Sequence, residues 1–70
     1  MQRYLIVLEP TATGFSAYSP DLPGCAATGP TRDACESQMR EAIDFHLDGL
    51  RAEGEPIPQP STSAAYVDVG

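Results

Sequence analysis

Apolar residues alternate with a period of two near the start of the chain and recur every three or four residues after position 31, so the pattern predicts a small sheet followed by a helix. Within a first strand expected over residues 2–9, Tyr4, Ile6 and Leu8 fall on one face of an extended backbone and Leu5 and Val7 on the other. Both faces want burial, which predicts a central strand or one whose second face a neighbouring subunit covers. Pro10 to Gly14 reads as a turn, because proline removes a ladder donor and glycine tolerates positive φ. A second strand over 15–19 places Phe15 and Ala17 opposite Ser16 and Tyr18, and a third short strand is expected over 25–28.

Gly29-Pro30-Thr31 breaks that strand, and Thr31 is placed to cap a helix whose first turn carries Asp33. Over 32–53 the apolar positions Cys35, Met39, Ala42, Ile43, Leu47 and Leu50 form a stripe at helical spacing, and Gly54 supplies the stop. The opposite face carries Arg32, Glu36, Arg40, Glu41, Asp44, Asp48 and Arg51, with Glu36–Arg40 and Arg40–Asp44 four residues apart. A helix of about 22 residues spans about 33 Å and outreaches strands of about 17 to 23 Å, so one end is expected to overhang the sheet.

Pro56, Pro58 and Pro60 make residues 55–63 a semi-rigid linker of polyproline II character. Beyond it Ala65, Val67 and Val69 alternate with Tyr66 and Asp68, which predicts a fourth strand over 64–69 on an edge of this sheet or of a second subunit. The expected architecture is one α+β domain over residues 1–70, a two-layer sandwich of order β-β-β-α-β with one long helix on a small, mainly antiparallel sheet.

Seventy residues, ten of them acidic against four arginines, give a net charge of −6, which argues against binding a phosphate backbone directly and favours a basic protein partner. A core of this size rarely contributes more than about 3 to 5 kcal/mol alone, so a homo-oligomer, dimer or tetramer, is expected. No apolar run approaches the roughly 18 residues of a membrane span, and no signal-peptide pattern opens the chain. A cytoplasmic protein is expected, with Cys25 and Cys35 as reduced structural thiols.

The chemistry available for catalysis is thin, and no catalytic, cofactor-binding or metal-binding residues are assigned. His46, at the margin of the helical stripe, reads as a partly buried histidine. Cys25 and Cys35 lack the spacing and the further ligands of a zinc site. Asp44 and Asp48 share a helical face, where Arg40 and Arg51 balance their charge; they remain candidates for contact with a partner.

The segment Tyr18-Ser19-Pro20-Asp21-Leu22-Pro23-Gly24-Cys25 has two readings. It is either a structural corner, with Asp21 bonded to nearby amides and Leu22 anchored in the core, or a loop pre-ordered by Pro20 and Pro23 for recognition. On the second reading Tyr18, Pro20, Asp21, Leu22 and Pro23 are candidate partner contacts.

Gly14-Phe15 with Ala17-Tyr18, the Pro20-Asp21-Leu22-Pro23-Gly24-Cys25 loop, Thr28-Gly29 with Thr31, Glu41-Ala42-Ile43, and Gly54 with Pro56-Ile57-Pro58 together closely resemble the N-terminal domain of HicB-like antitoxins, found in bacteria and archaea. The resemblance implies a non-catalytic inhibitor of a small basic HicA-type toxin that binds and cleaves RNA. Family members commonly carry a C-terminal DNA-binding segment, and the chain resembles a short form without it, so no operator binding by this polypeptide alone is expected. Two other classes are carried beside this reading. One is an orphan homo-oligomeric scaffold domain; the other, a vestigial nuclease using Glu9 or Asp21 with Mg²⁺, lacks clustered carboxylates on adjacent strands.

Overall fold

The computed structural model describes residues 2–70. Three strands, β1 (Val7–Thr11), β2 (Gly14–Tyr18) and β3 (Ala26–Gly29), precede a single helix, α1 (Arg32–Ala52). The sheet is antiparallel throughout in the order β1-β2-β3, with Leu8 opposite Ala17 and Ala17 opposite Ala27. The fold is α+β, a sheet with one long helix packed on it.

Two expectations about β1 are corrected. It begins at Val7, not at residue 2, and it includes Pro10 and Thr11; the turn between the strands shrinks to Ala12 and Thr13. It is also an edge strand, because β2 occupies the middle of the sheet, so the central-strand alternative is the one overturned. The proline is accommodated for a geometric reason. Thr11 and Gly14 close the two-residue loop as a bonded pair, so Thr11, Glu9 and Val7 direct their N–H and C=O groups toward β2 while Pro10, Leu8 and Ile6 point theirs outward. The missing N–H of Pro10 therefore falls on the open edge, where no ladder bond is lost.

The helix covers the face of the sheet that carries Leu8, Phe15, Ala17 and Ala27. Cys35, Met39 and Leu47 of the helical stripe are buried, with Ala42, Ile43 and Leu50 packed against the same cluster. Leu22 and Cys25, from the β2–β3 loop, complete the core. The Thr31 hydroxyl accepts from the Ala34 N–H at 3.1 Å and caps the helix. Its first turn lies so close to β3 that a Cβ on Gly29 would stand 2.6 Å from the Cys35 nitrogen. Gly54, at φ +70°, turns the chain out of the helix.

Residues 55–63 follow the helix as a strap that folds back onto the core. The Glu55 N–H donates to the Leu50 carbonyl at 2.8 Å, Ile57 packs against the core, and the Tyr4 hydroxyl donates to the Pro58 carbonyl at 2.5 Å. The fourth strand expected over 64–69 is not formed: these residues make no ladder and all are exposed. Alternation supplies one apolar face, but a strand also needs a free edge beside it, and the strap delivers the tail to the β2–β3 loop instead.

Candidate partner-binding surface

The β2–β3 loop is held by its own backbone. The Leu22 N–H donates to the Ser19 carbonyl at 3.1 Å, the Cys25 N–H to the Leu22 carbonyl at 3.0 Å, and the Ser19 N–H to the Cys25 carbonyl at 3.3 Å. The Ser19 hydroxyl donates to the Leu5 carbonyl at 3.0 Å, supplying the donor that Pro20 lacks at the next ladder position. Gly24 takes the positive φ of +81° that closes the turn. Proline stiffness and internal bonding together give a rigid corner.

Within that corner the sequence candidates part ways. Leu22 is 0% exposed and is a core residue. Pro20 and Pro23 are exposed. Asp21 turns its carboxylate onto the strap: Oδ2 accepts from the Ser61 and Thr62 N–H groups, both at 3.1 Å, and Oδ1 from the Ser61 hydroxyl at 3.1 Å and the Thr62 hydroxyl at 2.7 Å. These bonds, led by the Thr62 hydroxyl, hold the carboxyl below the usual range because they favour its charged form. The position carried a signal for local turn bonding, but the partners lie 40 and 41 residues away in sequence.

Tyr18 is 45% exposed on the sheet face turned away from the helix. Ladder pairing aligns it with Val7 and Ala26, and a shallow hollow of about 480 Å³ opens there beside Ser16 and Thr28. Asp44 and Asp48 are exposed on the helix, in the other layer. Asp48 pairs with Arg51 at 3.2 Å, whereas the expected Glu36–Arg40 and Arg40–Asp44 pairs do not close; among the described residues the Asp48–Arg51 contact is the ion pair formed. The structure thus separates the candidates into a sheet face, a loop and a helix face.

Phe45 was missed as a candidate. It is 82% exposed, between Asp44 and the next acidic turn at Asp48. Its position two residues after Ile43 and two before Leu47 puts it about 200° out of phase with both at about 100° per residue, the signal that would have found it. An aromatic ring on the solvent side of a helix, bordered by Glu41, Asp44 and Asp48, combines an apolar anchor with negative charge.

His46 is half-buried. Cys25 and Cys35 are buried free thiols, Cys35 donating weakly to the Ala27 carbonyl at 3.9 Å, and burial pushes the Cys25 thiol up. Among the described residues no three His, Cys, Asp or Glu side chains converge as a metal site, and no helix is long and apolar enough to cross a membrane.

Residues 4–69 match the sequence profile of the HicB-like antitoxin of bacterial toxin–antitoxin systems. The chain belongs to the HicB-like antitoxin family. Its backbone superposes on a chain of a HicA3 and HicB3 toxin–antitoxin complex with a TM-score of 0.74 at 35% identity, covering 86% of this chain and 70% of that one. It is 31% identical over 65 residues to an uncharacterized 14.9 kDa protein of Haemophilus phage HP1, covering 93% of this chain and 49% of that protein. It is also 33% identical over 58 residues to a UPF0150 protein of Synechocystis sp., covering 81% of this chain and 73% of that protein. The HicB-like chain therefore spans about half the length of its phage relative.

Proposed function

We propose that this HicB-like chain neutralises a small basic HicA-type RNA-cleaving toxin in the cytoplasm by binding it, without catalysis of its own. The observation that carries the proposal is the likeness, at 35% identity and a TM-score of 0.74, to a chain of a HicA3 and HicB3 complex. A net charge of −6 supports it: opposite charge speeds encounter with a basic partner, and it disfavours contact with the toxin's RNA substrate.

The contact we assign to the toxin is the outer face of α1, with Phe45 as the apolar anchor and Asp44 and Asp48 as its charged border. Exposed aromatics inside a polar rim are where binding energy concentrates, and truncating such an anchor costs about 2 kcal/mol or more, roughly a 30-fold loss of affinity. Tyr18, Pro20 and Pro23 lie on other surfaces and are secondary candidates.

Co-expression with a HicA-type ribonuclease tests the reading. The wild-type chain is expected to co-purify with the toxin and suppress RNA cleavage, and Phe45→Ala to weaken both while leaving the helix intact by circular dichroism. Undiminished cleavage and no complex with the wild-type chain would sink the function; normal binding by Phe45→Ala would move the contact off the helix.

A further inference from the structure

We propose that the part of the toxin seated on α1 is a basic helix, which crosses with its backbone close over Gly49 and its flank against the Phe45 ring. The inference rests on the reading that the outer face of α1 binds the toxin, and it specifies what that face is shaped to receive.

Gly49 is the residue that carries it. Glycine is, after proline, the residue least favourable in a helix, so a glycine within one calls for a local reason. The fold supplies none. The glycines at positive φ are Gly14, Gly24 and Gly54, whereas Gly49 stays in the helical ladder, its carbonyl accepting from the Glu53 N–H at 3.2 Å, so its backbone suits any residue. A Cβ built there meets nothing within 4 Å, so packing inside the chain does not require the gap either. Gly49 is exposed. The reason that remains is close approach from outside.

The gap lies beside the exposed ring. Glu41, Phe45 and Gly49 follow one another at four-residue spacing along a single ridge of the helix, and the exposed Ala52 continues the same face. The ridge rises at Phe45, which is 82% exposed, and falls at Gly49. Helices pack by laying the ridges of one into the grooves of another, at an interaxial distance set by the side chains at the crossing. A low point one turn from a large ring therefore lets a second helix sink toward the backbone at Gly49 while Phe45 packs along its side.

Charge selects the occupant. From Glu41 to the end of the helix and its cap, the exposed charges are Glu41, Asp44, Asp48 and Glu53 against Arg51, which Asp48 already holds at 3.2 Å. A helix with arginine or lysine flanking a small apolar patch complements this face. A second copy of the chain does not. Antiparallel pairing that set Phe45 over Gly49 of the other copy would also set Glu41 against Glu53, and parallel pairing would set each carboxylate on its own counterpart.

Titration calorimetry with a HicA-type ribonuclease, beside thermal melts of the free chain, tests this. Gly49→Ala is expected to melt about 4 °C higher than the wild type, because alanine is the better helix former, and yet to bind the toxin at least 3-fold more weakly. Gly49→Leu is expected to keep its helical dichroism and to bind at least 30-fold more weakly. Cross-saturation from the chain onto labelled toxin is expected to mark toxin residues spaced three and four apart. A wild-type chain that binds no toxin sinks this inference together with the reading beneath it. Binding that Phe45→Ala weakens but Gly49→Leu leaves unchanged overturns the close crossing alone and leaves that reading standing. A lower melting temperature in Gly49→Ala would make the glycine a requirement of the fold, contacts on alternate toxin residues would give the face to a strand, and self-association of the free chain that Gly49→Leu abolishes would give it to a second copy; each of these overturns the proposal.

Discussion

The Asp21 carboxylate receives the Thr62 hydroxyl at 2.7 Å and the Thr62 N–H at 3.1 Å, joining the β2–β3 loop to a segment 41 residues further along the chain. With the matching pair from Ser61, one side chain gathers four donors and fixes where the strap ends.

Asp21→Ala removes all four acceptor contacts, so the Ser61 and Thr62 amides are expected to exchange much faster while amides in α1 keep their protection. Asp21→Asn, which retains one carbonyl oxygen, is expected to fall between. Amide exchange followed by NMR checks this, and unchanged Ser61 and Thr62 protection in Asp21→Ala would refute the clamp.

Acid should release the same contact. The folded carboxyl titrates below its unfolded value, so the stabilisation is fully present above about pH 4 and is lost as pH falls through the lower folded value. Ser61 and Thr62 chemical shifts are expected to hold steady from neutrality down to about pH 4 and to move below it, and this acid transition is expected to vanish in Asp21→Asn.

Leu22→Ala is expected to destabilise the fold by about 2 to 5 kcal/mol, because the side chain is fully buried and its removal leaves a cavity beside Met39 and Cys35 in the core cluster. Urea denaturation of the isolated chain measures it. A change below about 0.5 kcal/mol would mean that the loop is not a structural corner.

Thr31→Ala is expected to cost about 1 kcal/mol by leaving the Ala34 N–H without its cap. Gly29→Ala is expected to cost more, since its Cβ meets backbone atoms of Cys35 at 2.6 and 2.9 Å and neither can swing aside as a side chain would. Thermal melts of the two variants should rank in that order.

The two thiols are expected to resist a water-soluble disulfide reagent in the native protein and to react together in denaturant. Both are buried, and burial holds Cys25 away from the reactive thiolate form. Rapid native labelling of either would contradict the packing.

Much of this was legible along the chain because it depends on near neighbours. Thr31, Asp33 and Gly54 mark the helix ends through local backbone chemistry, and Cys35, Met39 and Leu47 mark its buried face by spacing alone. The Pro-Asp-Leu-Pro-Gly loop was readable as a turn for the same reason. Its two readings were separated only by burial: Leu22 points into the core, and Asp21 looks to the strap. Phe45 was passed over because the apolar Ile43 and Leu47 flank it two residues away on either side, while it lies on the opposite side of the helix from both.

By itself the sequence determined three strands and a helix in that order, the helix face and the family resemblance, all of which follow from propensity, period and local motif, while its fourth strand over 64–69 is not formed. Tertiary structure decided that β1 is an edge and not a centre, that the tail of residues 64–69 stands exposed, and that Asp21 holds Ser61 and Thr62. Period tells which way a side chain faces, but which strand lies beside which, and what a carboxylate reaches across 40 residues, depend on how the whole chain closes over its core.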